Sequence, residues 1–324
     1  MVKPATSALP CGSSHDLVLF CLAIGPMLES TPMNRLCSEI QSLVRPTHTR
    51  TAVMAPGRAP LDYTSLWAQT EALAADLSRL GLQRHDAVAL VMPDGPEMLT
   101  AFLAVTQVAI CAPLNPAFRE QEMKFYLSDL RAQALIVQTG ADSPAAIAAS
   151  AMGIPVLMAM PDERGPAGAV RLTRLDAASK PGGSDHEPDT ALLLHTSATT
   201  GQPKLVPISH QQLIAMVSTI RKSLSEADEG CVLSITPQFH IHCILSQLVQ
   251  LFSGGAIVCT PGFRSESFLD WMQQFRPTQY TASPTLHRAI LSLLPPGPPP
   301  ESFSSMRFVS SAGAALPEPL SSEI

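Results

Sequence analysis

The chain has 324 residues, with 21 Lys plus Arg against 27 Asp plus Glu and a formal net charge of −6. This balance argues against a nucleic-acid-binding protein. Hydrophobic residues make up 46% and charged residues 15%, which favours a large folded core over disorder. At roughly 100 to 200 residues per domain, the length allows one large or two ordinary domains.

The seven cysteines are odd in number, far apart and without a C-x-x-C pair. That pattern argues against a disulfide framework or a structural zinc site. We interpret them as reduced thiols, mostly buried as small hydrophobic side chains.

The first apolar run lies between Leu17 and Leu28. It is shorter than the ~20 residues that a membrane-spanning helix needs. Asp16 precedes it directly and Lys3 is the one Lys or Arg before it, so it is also a poor signal peptide. We treat residues 1–32 as an N-terminal extension, expected to be disordered, and residues 33–324 as the folded domain.

Helical periodicity and short apolar runs alternate along the rest of the chain. Periodicity and turn signals predict helices over 64–80, 94–108, 119–131, 143–151 and 209–224. Apolar runs predict strands over 86–92, 110–114, 134–137, 155–160, 169–175, 190–195, 231–235, 256–259, 280–283 and 306–310. Strands that alternate with helices in this way indicate an α/β fold of βαβ units around a buried parallel sheet.

Two helix starts carry capping signals. Asp94 is followed three residues later by Glu97, which predicts an N-cap carboxylate at the start of that helix. Ser209 and Gln212 have the spacing of a capping box.

The most informative segment runs from Leu192 to His210, LLLHTSATTGQPKLVPISH. An apolar strand leads into hydroxyl residues, a glycine and one lysine, groups that suit the oxygens of a polyphosphate. It is not the G-x-x-x-x-G-K-[ST] loop, because Gly201 is the one glycine before Lys204 and Leu205 follows that lysine. The sequence also has no G-x-G-x-x-G fingerprint. From composition alone, a solvated Ser/Thr turn remains the alternative.

The residues from Thr196 to Leu205, TSATTGQPKL, resemble the signature loop T-S-G-T-T-G-x-P-K-G of the adenylate-forming superfamily. Ala198 and Leu205 take the places of two glycines. The segment PQFHIH from Pro237 to His242 resembles the P-x-F-H segment of that family, and Ser310 to Leu316 resembles its adenine loop. The combination is most similar to oxalate-CoA ligases and peroxisomal CoA-synthetase-like proteins.

This resemblance implies the large N-terminal domain of an acyl-CoA synthetase, built of βαβ subdomains, incomplete and lacking the small C-terminal domain. It implies an ATP-dependent carboxylic acid–CoA ligase that forms an acyl-adenylate and then a thioester with CoA, with ATP, Mg2+ and CoA as cofactors. The expected acid is a small or medium carboxylic or dicarboxylic acid, in a specialised-metabolite pathway. The family's adenylation lysine falls beyond Ile324, so the catalytic residue stays unassigned.

The same resemblance assigns the binding residues. For the phosphates and the geometry of their loop it implies Thr196, Ser197, Thr199, Thr200, Gly201 and Lys204. For the adenine it implies Gly313, Ala314 and Ala315. His240 is expected at the acyl or adenylate pocket.

His240 and His242 could also form an H-x-H metal pair, which in a strand would present both rings on one face. No Cys, Asp or Glu ligand lies at useful spacing, so we favour a pocket histidine and a structural histidine over a metal site.

Two hypotheses from different classes therefore follow. The first is the CoA ligase, acting on a small carboxylic acid without nucleic-acid partners or a membrane span. The second is a truncated, non-catalytic remnant that binds a nucleotide or a protein. The expected compartment is the cytoplasm, with the peroxisome as an alternative, although the terminal Ser-Ser-Glu-Ile is not an S-K-L-type address. The oligomeric state is left open.

Overall fold

A computed structural model describes residues 35–43, 49–138, 143–174, 185–196, 203–224 and 230–323. It confirms the α/β class, with strands and helices alternating along most of the chain. The helices are α1 (Arg35–Leu43), α2 (Tyr63–Arg79), α3 (Pro96–Val108), α4 (Glu120–Asp129), α5 (Pro144–Ala151), α6 (His210–Ser223), α7 (Ile241–Phe252), α8 (Ser265–Phe275), α9 (Pro284–Leu291) and α10 (Glu318–Glu323), with a 3-10 turn at Glu301–Phe303.

The strands form two sheets rather than one. Their bounds are β1 (Thr51–Met54), β2 (Leu61–Asp62), β3 (Ala87–Val91), β4 (Ile110–Pro113), β5 (Ala134–Gln138), β6 (Val156–Pro161), β7 (Val170–Arg174), β8 (Thr190–His195), β9 (Leu205–Ser209), β10 (Cys231–Ser234), β11 (Ala256–Cys259), β12 (Gln279–Ala282) and β13 (Phe308–Ser311). The first sheet has the order β13-β12-β10-β11-β1-β2, and the second β7-β6-β5-β3-β4-β8-β9.

Both sheets are mainly parallel, and each reverses its strand order at one central strand. In the first sheet β10 pairs in parallel with β11 on one side and β12 on the other. In the second sheet β3 pairs in parallel with β4 and β5 in the same manner. Antiparallel pairing is confined to the edges, at β1 with β2, β6 with β7 and β8 with β9. The carboxyl ends of β3 and β10 are therefore switch points, where α/β sheets bind ligands.

One hydrophobic core contacts both sheets. It includes Val53 and Ile257 from the first sheet, Leu90 from the second, and side chains of α3 and α7. Every residue of α3 from 96 to 106 is buried, so this helix lies in the interior with protein on all its sides.

The structure corrects several sequence-based boundaries. Residues 205–208, expected as loop, and Ser209, expected as the start of a helix, form the edge strand β9. Helices α7, α8 and α9 occupy stretches for which no helix was predicted. The final predicted strand begins at Phe308 rather than Met306. Asp94 is not the N-cap of α3, because that position is held by Gly95 without a side-chain capping bond.

Candidate functional site

Thr196 and Lys204 are the described residues of the hydroxyl-rich segment, and they lie next to the antiparallel pair of β8 and β9. His195 pairs with Leu205, and the Thr196 amide donates to the Lys204 carbonyl oxygen at 2.9 Å. The Lys204 amide in turn donates to Thr196 Oγ1 at 3.2 Å. These bonds hold Thr196 and Lys204 side by side at the carboxyl end of β8, with Lys204 exposed to solvent.

The remaining residues predicted for phosphate binding lie outside the described part of the chain. They are Ser197, Thr199, Thr200 and Gly201, together with the atypical Ala198. The other atypical residue, Leu205, lies in β9 and packs against the hydrophobic cluster of the second sheet. Among the described residues other than glycine, positive φ occurs at Arg131 and Arg276 alone, so Leu205 sits in ordinary extended backbone.

His195, which precedes Thr196, was not singled out by sequence reasoning. Its Nε2 lies 2.8 Å from Asp129 Oδ2, and its ring meets the Tyr126 ring edge-on with centroids 4.6 Å apart. Burial lowers the pKa of His195, although Asp129 opposes this change. The lowered pKa favours the neutral imidazole at pH 7.

The PQFHIH segment follows β10, but its two histidines do not lie in a strand. His240 is the N-cap residue of α7 and His242 is in the first turn. Their rings are stacked with centroids 5.8 Å apart. Desolvation lowers the pKa of His240, and lowers that of His242 to about 4 with help from the neighbouring His240. The two histidines therefore lie at the start of a helix, with lowered pKa values, and not on one face of a strand as considered from the sequence.

His240 and His242 have no third metal ligand in the part of the chain that the structure describes. Among the described residues, no group of three or more His, Cys, Asp or Glu side chains converges closely enough to hold a metal ion.

Gln238 and Asp94 connect the switch points of the two sheets. The backbone N–H of Gln238 donates to Asp94 Oδ1 at 2.7 Å. The side-chain Oε1 of Gln238 accepts from the backbone N–H of Gly95 at 2.5 Å. Gln238 is 3% exposed. Burial raises the pKa of Asp94, and the bond from Gln238 partly offsets that rise. We name these contacts of Asp94, Gly95 and Gln238 the inter-sheet clamp; the spacing of these residues in the sequence does not indicate it.

The residues predicted for adenine binding follow β13. Gly313, Ala314 and Ala315 are exposed, and Gly313 has φ +87°, in the left-handed region that favours glycine. Since β13 runs parallel to β12, and β12 to β10, this loop lies at the same edge as the clamp.

Several buried polar atoms near this edge have no hydrogen-bond partner among the described residues. They are Gln238 Nε2, His242 Nε2 and Ser311 Oγ. Such groups are stabilised by a ligand or water that pairs with them. Thus Thr196 and Lys204 on one sheet, and the PQFHIH segment and Gly313–Ala315 on the other, line the carboxyl edges that the clamp joins.

Comparison with protein families gives a match over residues 41–324 to the AMP-binding enzyme family. The chain belongs to this family. Two curated relatives of the AMP-binding chain are an oxalate–CoA ligase of Arabidopsis thaliana and an acyl-CoA synthetase of Alternaria alternata, each 31% identical. The alignments cover 86% and 87% of this chain but 55% and 56% of those proteins, so the chain spans about half their length.

Solved structures agree with the fold of the AMP-binding chain. MatB from Rhodopseudomonas palustris matches with a TM-score of 0.72 and 25% identity, over 89% of this chain and 56% of MatB. A long-chain-fatty-acid-CoA ligase of Archaeoglobus fulgidus matches with a TM-score of 0.74 at 16% identity, over 93% of this chain and 62% of that one, which supports the fold alone. Both alignments fit the predicted N-terminal domain of an acyl-CoA synthetase. None of the helices in the described part is both long and apolar enough to cross a membrane.

Proposed function

We propose that this chain is the ATP-binding part of an AMP-forming carboxylic acid–CoA ligase. The observation that carries the proposal is the pairing of Thr196 with Lys204 at the carboxyl end of β8, within a chain of the AMP-binding family. An exposed ammonium beside a fixed hydroxyl offers a point charge and a directional donor to phosphate oxygens.

The hairpin bonds define what each group can donate. The Thr196 amide is used by the Lys204 carbonyl, and Thr196 Oγ1 accepts from the Lys204 amide. Within the described residues, these bonds leave the hydroxyl proton of Thr196 and the three protons of the Lys204 ammonium to donate to an anion. In phosphoryl chemistry such groups act by positioning and by neutralising charge, rather than by covalent steps.

The first sheet would supply the rest of the site. The proposed role of Gly313, Ala314 and Ala315 is to let a flat adenine approach a surface of small side chains. The ring of His240 would line the acyl or adenylate pocket, stacked with the ring of His242, whose Nε2 has no partner among the described residues. Neutral rings suit a pocket in which an acyl carboxylate must attack rather than be trapped in an ion pair.

Mg2+ belongs to the proposal as a companion of ATP. Since no set of three ligands converges among the described residues, we expect nucleotide phosphates to provide most of its oxygen ligands. When bound, the ion neutralises phosphate charge.

We propose a small or medium carboxylic or dicarboxylic acid as the substrate and CoA as the acyl acceptor. The Arabidopsis relative is named for oxalate, and the Alternaria relative is an acyl-CoA synthetase. A role in a specialised-metabolite pathway and a cytoplasmic location remain part of this proposal.

The test is calorimetric binding of Mg·ATP to the chain, with Lys204→Gln compared against Lys222→Gln. Lys222 is also exposed and lies in the last turn of α6, at the end of that helix opposite to β9. A hydrogen bond to a charged group contributes about 1.5–3 kcal/mol, so Lys204→Gln should weaken ATP binding about tenfold or more. Lys222→Gln should leave it unchanged.

ATP–pyrophosphate exchange is then measured over a panel of mono- and dicarboxylic acids to determine whether an acid is adenylated. An absence of ATP binding by the wild-type chain would overturn the proposal. Equal effects of the two lysine substitutions would overturn the assignment of Lys204.

A further inference from the structure

His195 joins the base of the hairpin to the end of α4. Its side chain is 7% exposed, and its Nε2 lies 2.8 Å from Asp129 Oδ2. Asp129 is the last residue of α4 and lies 66 positions earlier in the sequence. The contact therefore fixes the last residue of β8 to a helix of the same subdomain.

The hydrogen bond determines the tautomer of the ring. Because a carboxylate oxygen only accepts, the Nε2 of His195 must carry the proton that Asp129 receives. In the neutral ring Nδ1 is then an acceptor, and it is buried without a partner among the described residues. Such a carboxylate–imidazole pair fixes both the tautomer and the orientation of the ring.

The aromatic surroundings hold the ring from the side. Tyr126, one turn before Asp129, meets the His195 ring edge-on and is itself stacked on Phe118 with centroids 4.6 Å apart. The His195 ring thus has two constraints, one polar and one apolar, that both come from α4 and the segment before it.

We propose that His195 is a positioning residue, which fixes the base of the hairpin through Asp129 so that Thr196 and Lys204 are presented together. It acts through the adjacent Thr196 and contacts no phosphate itself. The proposal rests on the proposed function for its consequence in ATP binding, but the positioning itself is measurable without a nucleotide.

Amide hydrogen exchange tests the positioning in the unliganded chain. In His195→Phe, which keeps a ring beside Tyr126 but loses the bond to Asp129, exchange at the Thr196 and Lys204 amides should be at least tenfold faster. His195→Gln, whose amide can reach Asp129, should restore most of the protection. Exchange at Ile136, fully buried in β5, serves as the reference for global opening.

His186→Phe is the matched control. His186 Nε2 lies 3.0 Å from the Leu130 carbonyl oxygen, at the same end of α4, but His186 precedes β8 and is not adjacent to Thr196 in the sequence. This variant should leave exchange at Thr196 and Lys204 within twofold of wild type. Equal acceleration in both phenylalanine variants, or acceleration of Ile136 as large as that of Thr196, would refute a positioning role.

The ATP affinity is measured separately on the same variants. If wild type binds ATP, His195→Phe should weaken that binding at least threefold and His195→Gln should recover it; an unchanged affinity would also count against the proposal. If wild type binds no ATP, the proposed function fails, while the exchange data still decide whether His195 fixes the hairpin base.

Discussion

Removal of the Asp94 carboxylate tests whether the inter-sheet clamp stabilises the domain. Asp94→Ala deletes the oxygen that accepts from the Gln238 amide at 2.7 Å, whereas Asp94→Asn keeps an oxygen at that position. Gln238 is 3% exposed, so water cannot readily replace the lost acceptor. The two variants therefore separate the hydrogen bond from the charge.

The expected magnitude follows from the burial of the donor. An unsatisfied buried N–H costs about 1–3 kcal/mol, so Asp94→Ala should lower the free energy of unfolding by that amount. The free energy of unfolding of Asp94→Asn at pH 7 should equal or exceed that of wild type, because the desolvated charge is removed while the hydrogen bond from Gln238 is kept.

Urea denaturation at several pH values is the assay. Burial raises the pKa of Asp94, so the folded state holds this proton more tightly than the unfolded state. The corresponding stability is present below the ordinary pKa of an aspartate and is lost as the pH rises through the raised value. Relative to wild type, Asp94→Asn should therefore gain stability as the pH rises through that window.

Asp76→Ala is the surface control, since the Asp76 carboxylate is 43% exposed and pairs with Arg79. Asp76→Ala should change the free energy of unfolding by no more than about 0.5 kcal/mol. The clamp would be refuted as a stabilising contact if Asp94→Ala were no more destabilising than Asp76→Ala, or if Asp94→Asn were as destabilising as Asp94→Ala.

Three further predictions concern stability. Gly255→Ala should lower the free energy of unfolding by about 3 kcal/mol or more, because the new Cβ would overlap the side-chain amide of the buried Gln250. Gly254→Ala should lower it by only on the order of 1 kcal/mol, because Gly254 has a positive φ but no neighbour close enough to clash. Equal losses in urea denaturation would contradict this prediction. Ser209→Ala removes the cap of α6 and should lower the free energy of unfolding by about 1 kcal/mol; no change in the denaturation midpoint would argue against the capping box. Burial lowers the pKa of His210 to about 4, so the unfolded chain takes up a proton first and the free energy of unfolding should fall as the pH drops from 6.5 to 4. His210→Gln should make the free energy of unfolding depend less on pH in this range. An unchanged pH dependence in the variant would exclude His210 as the cause.

The sequence predicts the short-range features of this fold well. The β3 segment reads as a continuous apolar run and is fully buried in the structure. The capping box of Ser209 and Gln212 is also confirmed, with both reciprocal bonds present. In each case the residues that determine the structure lie within a few positions of one another.

Strand β9 was missed because its sequence contains Pro207, which reads as a break. A proline is tolerated at the edge of a sheet, where no neighbour needs its missing N–H. Since β9 is the last strand of the second sheet and pairs only with β8, Pro207 fits there without loss of a ladder bond. Helix α7 was missed for a different reason: most of it is buried and apolar, and periodicity cannot distinguish such a run from a buried strand.

Of the residues predicted for phosphate binding, Thr196 and Lys204 lie in one segment, and the structure places them side by side. Their role in phosphate binding stays a prediction. The partner of His195 lies 66 positions away, and that of Gln238 lies 144 positions away. Composition and spacing carry no signal for such pairs, because two sheets must first form and pack before the residues meet.

Asp94 shows how tertiary structure changes the role of a local signal. The Asp-Gly-Pro-Glu sequence correctly marks the start of α3, since Pro96 occupies its first turn. However, the amide of Gly95 finds its acceptor in Gln238, and the Asp94 carboxylate binds the Gln238 backbone instead of capping its own helix. A helix start is thereby tied to the segment that leads to His240. The same few bonds, in the turn between β3 and α3, thus also hold the proposed acyl-binding segment against the sheet that carries Thr196 and Lys204.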